Sequence, residues 1–577
     1  MNRRQCLRAL FQVGLSSLTP LFLPSTGKTS AEDEYFPNYV DVASQAGLTS
    51  KTVLAGHESK DFLLSTTGGG IALLDYDNDG WLDIFIVNSW GLGGFPKGEE
   101  PTNHLYRNNR DGTFTDVTAK ANLVRSGWGQ GVCVGDYNND GLMDLFVTYY
   151  GKNVLYRNNG NGTFTDVTRE SGLLQLEDRW NSGAAFLDYD RDGHLDLFVS
   201  NYVAFESGLA LYDSDPSLVG VQSPVLYGPK GLRGSKNILY HNNGDGTFTD
   251  ISEAAGIAKV QPTYGFTPCV ADYDNDGWMD IYVADDSTPS LLFKNNRNGT
   301  FTEVGLLAGV AVDENGSSQG GMGVDTADYD GDGLLDIVKT NFSDQTTSLY
   351  HNQGNGFFTD RTFQAGVSGK TSSVKWGTAF LDFDNDGQLD LLMVAGPIYP
   401  PGLRTARTKP KDVEGRKILY RNLGNGRFQD ISERGGPGLL VPRCSRGAAF
   451  GDIFQTGQSD VAINNLNDAP TLLRNQSPSP NSWLLVRLVG TRTNRAAIGS
   501  RVIVEAEGRR QIQEVRSGGS FCSQSDLRLH FGLGRAREAN RVTVKWLGGG
   551  QETLEHVAAN RLVVIQEGKG IVGQEKF

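Results

Sequence analysis

The sequence predicts an all-β chain in which a seven-bladed β-propeller is followed by a small β-sandwich. Three observations predict it. An acidic stretch, Asp272-Tyr-Asp-Asn-Asp-Gly-Trp-Met-Asp280, is written again at Asp75–Asp83, Asp136–Asp144, Asp188–Asp196, Asp328–Asp336 and Asp382–Asp390, with a worn seventh copy at Asp452–Asp460. Successive copies start 61, 52, 84, 56, 54 and 70 residues apart, which marks a repeat architecture. Short apolar runs and tight Asp-Gly or Asn-Gly turns fill the intervals, without long helical periodicity, in a chain of 577 residues with 73 Gly.

Residues 1–31 stand outside the fold. Arg3-Arg4-Gln-Cys-Leu-Arg8, a modestly apolar Ala9 to Leu23 and Thr29-Ser-Ala31 follow the order of a secretory signal. The paired arginines resemble a twin-arginine leader. Gln12 and Pro20 interrupt a run already too short for a transmembrane anchor, so the chain is expected to be exported, periplasmic or extracellular. Without the four basic residues of 1–31 the net charge of -14 becomes -18, and the 15 basic and 9 acidic residues of 482–577 leave -24 on the body. That excess argues against nucleic acid as the partner. Cys133 and Cys269 each lie three residues before a first-position Asp in non-adjacent repeats; with Cys444 and Cys522 they are expected to be buried free thiols.

Residues 32–476 make the propeller, each repeat giving four strands, A to D. Strand A is apolar and small, with Gly five before the first Asp in six of seven repeats (Gly70, Gly131, Gly183, Gly323, Gly377, Gly447) and Thr267 as the exception. The acidic loop leads to strand B, such as Ile84–Val87; strands C and D form a hairpin of the type Leu105-Tyr-Arg-Asn-Asn-Arg-Asp-Gly-Thr-Phe-Thr-Asp-Val117. The last repeat has strand C, Leu472-Leu-Arg-Asn475, but no strand D, whereas Tyr39–Leu48 reads like Phe114–Leu123. Residues 36–48 are therefore predicted to supply the outer strand of blade seven and lock the ring. Alternating strand direction places the acidic A–B loops on one face. The long B–C connectors 88–103, 201–236 and 396–416 fall on the other, where a ligand is expected. A Pro/Ser linker, 477–482, leads to the sandwich at 483–567 and a tail at 568–577. Opposite charge predicts the sandwich held against the propeller, with Arg509, Arg510, Arg535 and Arg537 as candidate contacts.

Acids at positions 1, 3, 5 and 9 of a turn with Gly at 6 converge on one point, and their repulsion calls for a cation. Calcium, a hard ion that takes six to eight oxygens, suits them, with the position-7 carbonyl completing the set. The candidate ligands are Asp75, Asp77, Asp79, Trp81 and Asp83; Asp136, Asn138, Asp140, Leu142 and Asp144; Asp188, Asp190, Asp192, His194 and Asp196; Asp272, Asp274, Asp276, Trp278 and Asp280; Asp328, Asp330, Asp332, Leu334 and Asp336; and Asp382, Asp384, Asp386, Gln388 and Asp390. Up to six Ca2+ ions follow. The seventh loop has Phe454 and Thr456 at positions 3 and 5 and should bind none. Ile86, Val147, Val199, Val283, Lys339 and Met393 stand at position 12, which excludes an EF-hand.

Gly316-Ser-Ser-Gln-Gly320 lies in a D–A connector and not on a nucleophile elbow. His241 and His351 replace the Arg of Leu-Tyr-Arg-Asn and are repeat positions, not a metal cluster. An enzyme with its site at the channel mouth opposite the acidic loops is the alternative to a binding or adhesion module.

The acidic repeat with its Gly-rich strand resembles the FG-GAP/VCBS repeat of integrin-α-type propellers. Gly490-Thr-Arg-Thr-Asn-Arg495, Ala497-Ile-Gly-Ser-Arg-Val502 and Ser523-Gln-Ser-Asp-Leu-Arg-Leu-His-Phe-Gly-Leu-Gly534 resemble the ASPIC/UnbV domain. The combination is similar to the cartilage acidic protein 1-like family. That resemblance implies a calcium-binding, secreted, seven-bladed protein tied to adhesion or matrix contacts; a monomer with a protein or carbohydrate ligand is expected. Ala496, where the family often has Asp, and Trp546-Leu-Gly-Gly549, without the usual Pro, depart from it.

Overall fold

The computed structural model describes residues 35–54, 63–91, 94–204, 228–398, 415–477 and 479–577. Residues 1–31, expected to be an export signal, and most of the long connectors lie outside the described residues. None of the described helices is long and apolar enough to cross a membrane.

Alternating apolar runs joined by tight turns give the predicted four-stranded antiparallel sheets, seven in succession; blades two and three are joined where Arg179 and Trp180 pair with Gly151 and Tyr150. The innermost strands are Ile71–Leu74, Trp128–Gly135, Arg179–Leu187, Gly265–Ala271, Gly321–Ala327, Lys375–Leu381 and Ser445–Gly451. Each packs against the next, and the last packs against the first. Tyr39–Asp41 pairs antiparallel with Thr471–Asn475, so the N-terminal strand completes blade seven. Behind it Ala43, Ala46 and Leu48 enter the apolar core shared with blade one.

A second ring of bonds runs through the Asn of Leu-Tyr-Arg-Asn. Its Nδ2 donates to a carbonyl of the preceding blade's acidic loop: Asn158 to Tyr76, Asn242 to Tyr137, Asn295 to Tyr189, Asn352 to Tyr273 and Asn422 to Tyr329, all at 2.8 Å. Asn475 reaches Phe383 at 2.9 Å, and Asn108 closes the circle on Ile453 at 3.2 Å. Buried amides with both hydrogens satisfied fix each blade's rotation about the axis.

The C-terminal domain is two four-stranded sheets. One holds Ser482–Val489, Leu529–Gly534, Arg561–Gln566 and Gly570–Glu575; the other holds Arg501–Ala506, Arg509–Glu514, Glu538–Lys545 and Gln551–Ala558. It therefore extends past 567. Gly568 and Gly570, at φ 78° and 71°, turn the expected tail back as an edge strand on Arg561–Gln566.

This domain sits on the acidic-loop face and sends residues 516–526 into the channel, where they meet all seven innermost strands. Gln524 N and O bond Ile71 O and Leu73 N at 2.9 and 3.0 Å, and Val132 N donates to Cys522 O at 3.1 Å. Phe186 N donates to Ser517 Oγ, Gly519 N to Pro268 O, Val324 N to Ser520 O, Thr378 N to Ser520 Oγ and Asp526 N to Phe450 O. At the tip Phe521 is fully buried, packed edge-on against Phe266 and Trp376 at 5.5 and 4.8 Å between centroids. The recurrent Gly of strand A is the mark of this approach: a Cβ on Gly323 would lie 2.5 Å from Ser520 O, and one on Gly70 2.3 Å from Cys522 O.

Two expectations change. Cys133, Cys269 and Cys522 are buried free thiols, but Cys444 is only half-buried, because it lies at the far end of strand A beside Arg446. Docking uses the channel insertion more than the four arginines. Arg509 donates to Asp386 O and Arg510 lies against Gly333, whereas Arg535 donates to Pro480 O in the linker.

Candidate metal-binding loops

The acidic loops are organised by their own carboxylates. In blade one, Asp75 accepts from Asp79 N and Gly80 N at 2.9 Å, and Asp79 accepts from Trp81 N at 2.9 Å. Asp83 accepts from Tyr76 N at 3.1 Å and from Asn108 N at 2.8 Å. Gly80 takes φ 90°, which a side chain would resist. The worn seventh loop keeps this frame: Asp452 accepts from Thr456 N and Gly457 N, and Asp460 from Ile453 N and Asn475 N. Positions 1 and 9 thus hold the turn whether or not an ion is bound.

Position 3 is different. Asp77 is held by Arg107 at 2.7 Å, Asp274 by Lys294, and Asp190 lies 3.5 Å from His241. In all three the Oδ1 is buried and without a hydrogen-bond partner. An orphaned carboxylate oxygen beside three more carboxylates is costly unless a cation takes it. The residues therefore fit a hard cation, and the acids at positions 1, 3, 5 and 9 are the ones that would hold it. Asn138 at position 3 of blade two instead donates to Asp140 at 2.9 Å, one charge fewer.

Burial shifts these acids. Asp188 is pushed up to about 8, first by desolvation and then by Asp196, Asp192 and Asp190. Asp136, Asp272 and Asp328 rise to about 6, and Asp83, Asp144 and Asp280 well above the usual range, all chiefly by burial.

The residue before the strand-C Asn belongs to the site, although its position in the repeat gave it no such role. His241 Nδ1 lies 3.2 Å from Asp196 and His351 Nδ1 3.1 Å from Asp336, and each falls within reach of a common ion with two acids of its own loop. Both histidines are repeat positions, as expected, and each also stands beside acids that could hold an ion. The signal available was the basic residue always found there: Arg107, Arg157, Lys294, Arg421 and Arg474 in the other blades. His241 rises to about 8, mainly through its bond to Asp196.

The loops are chained to one another. Asn78, Asn139, Asn275 and Asn385 at position 4 donate through Nδ2 to the position-6 glycine carbonyl of the next loop, at 3.3, 2.8, 3.4 and 2.8 Å. Gln455 does the same to Gly80 O at 2.8 Å.

A model of the FG-GAP-like repeat matches residues 75–147, 136–199, 225–283 and 272–339, and one described as ASPIC and UnbV matches 490–572. Cartilage acidic protein 1 of Mus musculus is 23% identical over 559 residues, covering 94% of this chain and 78% of that protein. Its Xenopus tropicalis counterpart is 24% identical over 500 residues, covering 83% and 70%. Among solved structures, an Agrocybe aegerita lectin specific for non-reducing terminal N-acetylglucosamine shares 19% identity and a TM-score of 0.36, covering 63% of this chain and 79% of its own. The Malassezia sympodialis allergen Mala s 1 shares 12% and 0.30, covering 58% and 90%. The fold, the repeat and the C-terminal domain define an FG-GAP-repeat propeller carrying an ASPIC/UnbV domain. The FG-GAP-like repeats, the ASPIC/UnbV domain and the likeness to cartilage acidic protein 1 over most of the chain support a place in the cartilage acidic protein 1-like family.

Proposed function

We propose that the protein is an exported calcium-binding propeller that acts as a binding or adhesion module, with calcium as a structural ion in the loops of blades one to six. The observation that carries this is the buried, unpartnered oxygen of Asp77, Asp190 and Asp274, each set among three further acids of its loop. A protein or carbohydrate ligand is assigned to the connectors on the face opposite the loops, since the C-terminal domain covers the acidic face. Equilibrium dialysis with radioactive calcium tests the first part. Saturable uptake approaching six ions per chain, reduced by about one ion in an Asp274→Ala protein, is expected. Uptake below one ion per chain refutes it.

A further inference from the structure

The loops of blades one and four read Asp75-Tyr-Asp-Asn-Asp-Gly-Trp-Leu-Asp83 and Asp272-Tyr-Asp-Asn-Asp-Gly-Trp-Met-Asp280. They are identical at every expected ligand position. Their basic neighbours also correspond: Arg107 and Arg110 around one, Lys294 and Arg297 around the other. A cation from the C-terminal domain acts on each first ligand, though unequally: Arg487 acts on Asp75 only through its charge, whereas Arg501 lies 3.7 Å from Asp272. They differ in what holds position 4, the residue between ligands 3 and 5.

Asn275 sits in the left-handed region at φ 58°. Its Nδ2 is taken by Gly333 O of the next loop, and its Oδ1 by the Arg501 guanidinium of the C-terminal domain. The same guanidinium donates to Asp272 O at 3.1 Å and to Glu514 at 2.9 Å, itself nearly buried. Asn139 and Asn385, at φ 58° and 60°, are held likewise: Arg495 N donates to Asn139 Oδ1 at 2.7 Å, and His530 Nε2 to Asn385 Oδ1 at 2.7 Å. Gly534 N adds a bond to Asn385 O at 2.9 Å. Among the described residues no such donor from the C-terminal domain reaches Asn78, and blades three and five carry Arg191 and Gly331 at this position.

We propose that the C-terminal domain is a working part of the metal sites in alternate blades, two, four and six, where it fixes the position-4 residue and so preorganises the ligands on either side. Arg495, Arg501 and His530 are positioning residues: Arg495 and His530 act through Asn139 and Asn385, and Arg501 acts through Asn275 while also pairing with Asp272 at 3.7 Å. A loop already held in its bound shape loses less freedom when the ion arrives. One added hydrogen bond of ordinary strength corresponds to about tenfold in affinity. Linkage makes the effect reciprocal, so an ion in these loops tightens the seating of the C-terminal domain by the same factor. The proposal rests on the calcium reading above.

Terbium, a calcium surrogate excited through a nearby indole, separates the two loops because each carries one Trp at position 7. Trp546 lines the same cavity as Asp272 and Asp276, so it is replaced by Phe throughout; the full chain with Trp81→Phe then reports blade four, and with Trp278→Phe it reports blade one. Blade four is expected to reach half-saturation at about tenfold lower terbium. Adding Arg501→Lys keeps the charge but loses the fork that spans Asn275, Asp272 and Glu514. It should move the blade-four midpoint to that of blade one and leave blade one unchanged, whereas general loosening of the fold would move both and overturn the proposal. Equal midpoints, or weaker binding in blade four as repulsion by Arg501 alone would give, overturn the proposal while leaving the calcium reading intact. No terbium signal from either loop overturns both.

Discussion

Phe521→Ala tests whether the channel insertion is part of the fold or an ornament on it. Phe521 has no exposed surface and meets Phe266 and Trp376 edge-on. Removing a buried phenyl ring costs about 3–5 kcal/mol through lost transfer energy and the cavity left behind. The two aromatic contacts, about 0.5–1.5 kcal/mol each beyond burial, place this site toward the upper half of that range, at about 4 kcal/mol. The space cannot readily collapse, because the surrounding strands are held apart by the ring of Asn bonds and by glycines already in close contact. Urea unfolding followed by tryptophan fluorescence and by circular dichroism should show coincident transitions in the parent and a loss of this size in the variant. A loss under about 0.5 kcal/mol, the range of an ordinary surface change, would show that the insertion lies in the channel without supporting it.

Other expectations follow from the loops and the closing strand. Chelation by EGTA should lower the melting temperature, with recovery greater in calcium than in magnesium, since a ligand at a hundredfold excess over its dissociation constant adds about 2.7 kcal/mol per site; an unchanged melting curve would refute a structural ion. Without a cation, Asp188 is pushed up to about 8, above the unfolded value of about 3.9. Its contribution to folding is therefore full below about pH 4 and is lost as pH rises toward 8. Because the ion competes with those protons, the calcium-induced rise in melting temperature should be larger at pH 8 than at pH 6; equal rises would contradict the burial of these acids. A chain starting at residue 49 loses Tyr39–Asp41 from blade seven together with buried Ala43, Ala46 and Leu48. It should aggregate or unfold at markedly lower denaturant, and a soluble monomer of undiminished stability would refute closure by this strand.

The propeller was legible because every blade repeats the same local chemistry: a small-residue strand, an acidic turn, an apolar strand and an Asn-rich hairpin. Even the outer strand of blade seven, more than 400 residues from its partner, could be matched by its likeness to Phe114–Leu123. The channel insertion was not legible. Arg516-Ser-Gly-Gly-Ser-Phe-Cys-Ser-Gln-Ser-Asp526 looks like a surface loop, since Ser and Gly dominate it and only Phe521 is large and apolar. Its partners are backbone amides and carbonyls of seven strands, which leave no trace in side-chain pattern. The trace lies on the other side of the contact. The glycines of strand A suggested crowding around an axis, yet the crowding comes as much from the insertion as from neighbouring strands, as the Cβ positions at Gly70 and Gly323 show. Thr267, the exception, fits the same account. Its Oγ1 donates to Met322 O at 2.8 Å and accepts from Cys522 N at 3.3 Å, so one blade answers the insertion with a side chain where the others offer only space. A single chain inside a sevenfold ring cannot contact all blades alike, and the one departure from glycine marks where it does not. The consequence bears on the ligand. A molecule bound on the axis would have to displace Phe521, at a cost of the order worked out above. One bound on the rim of the face opposite the acidic loops would leave Phe521 in place.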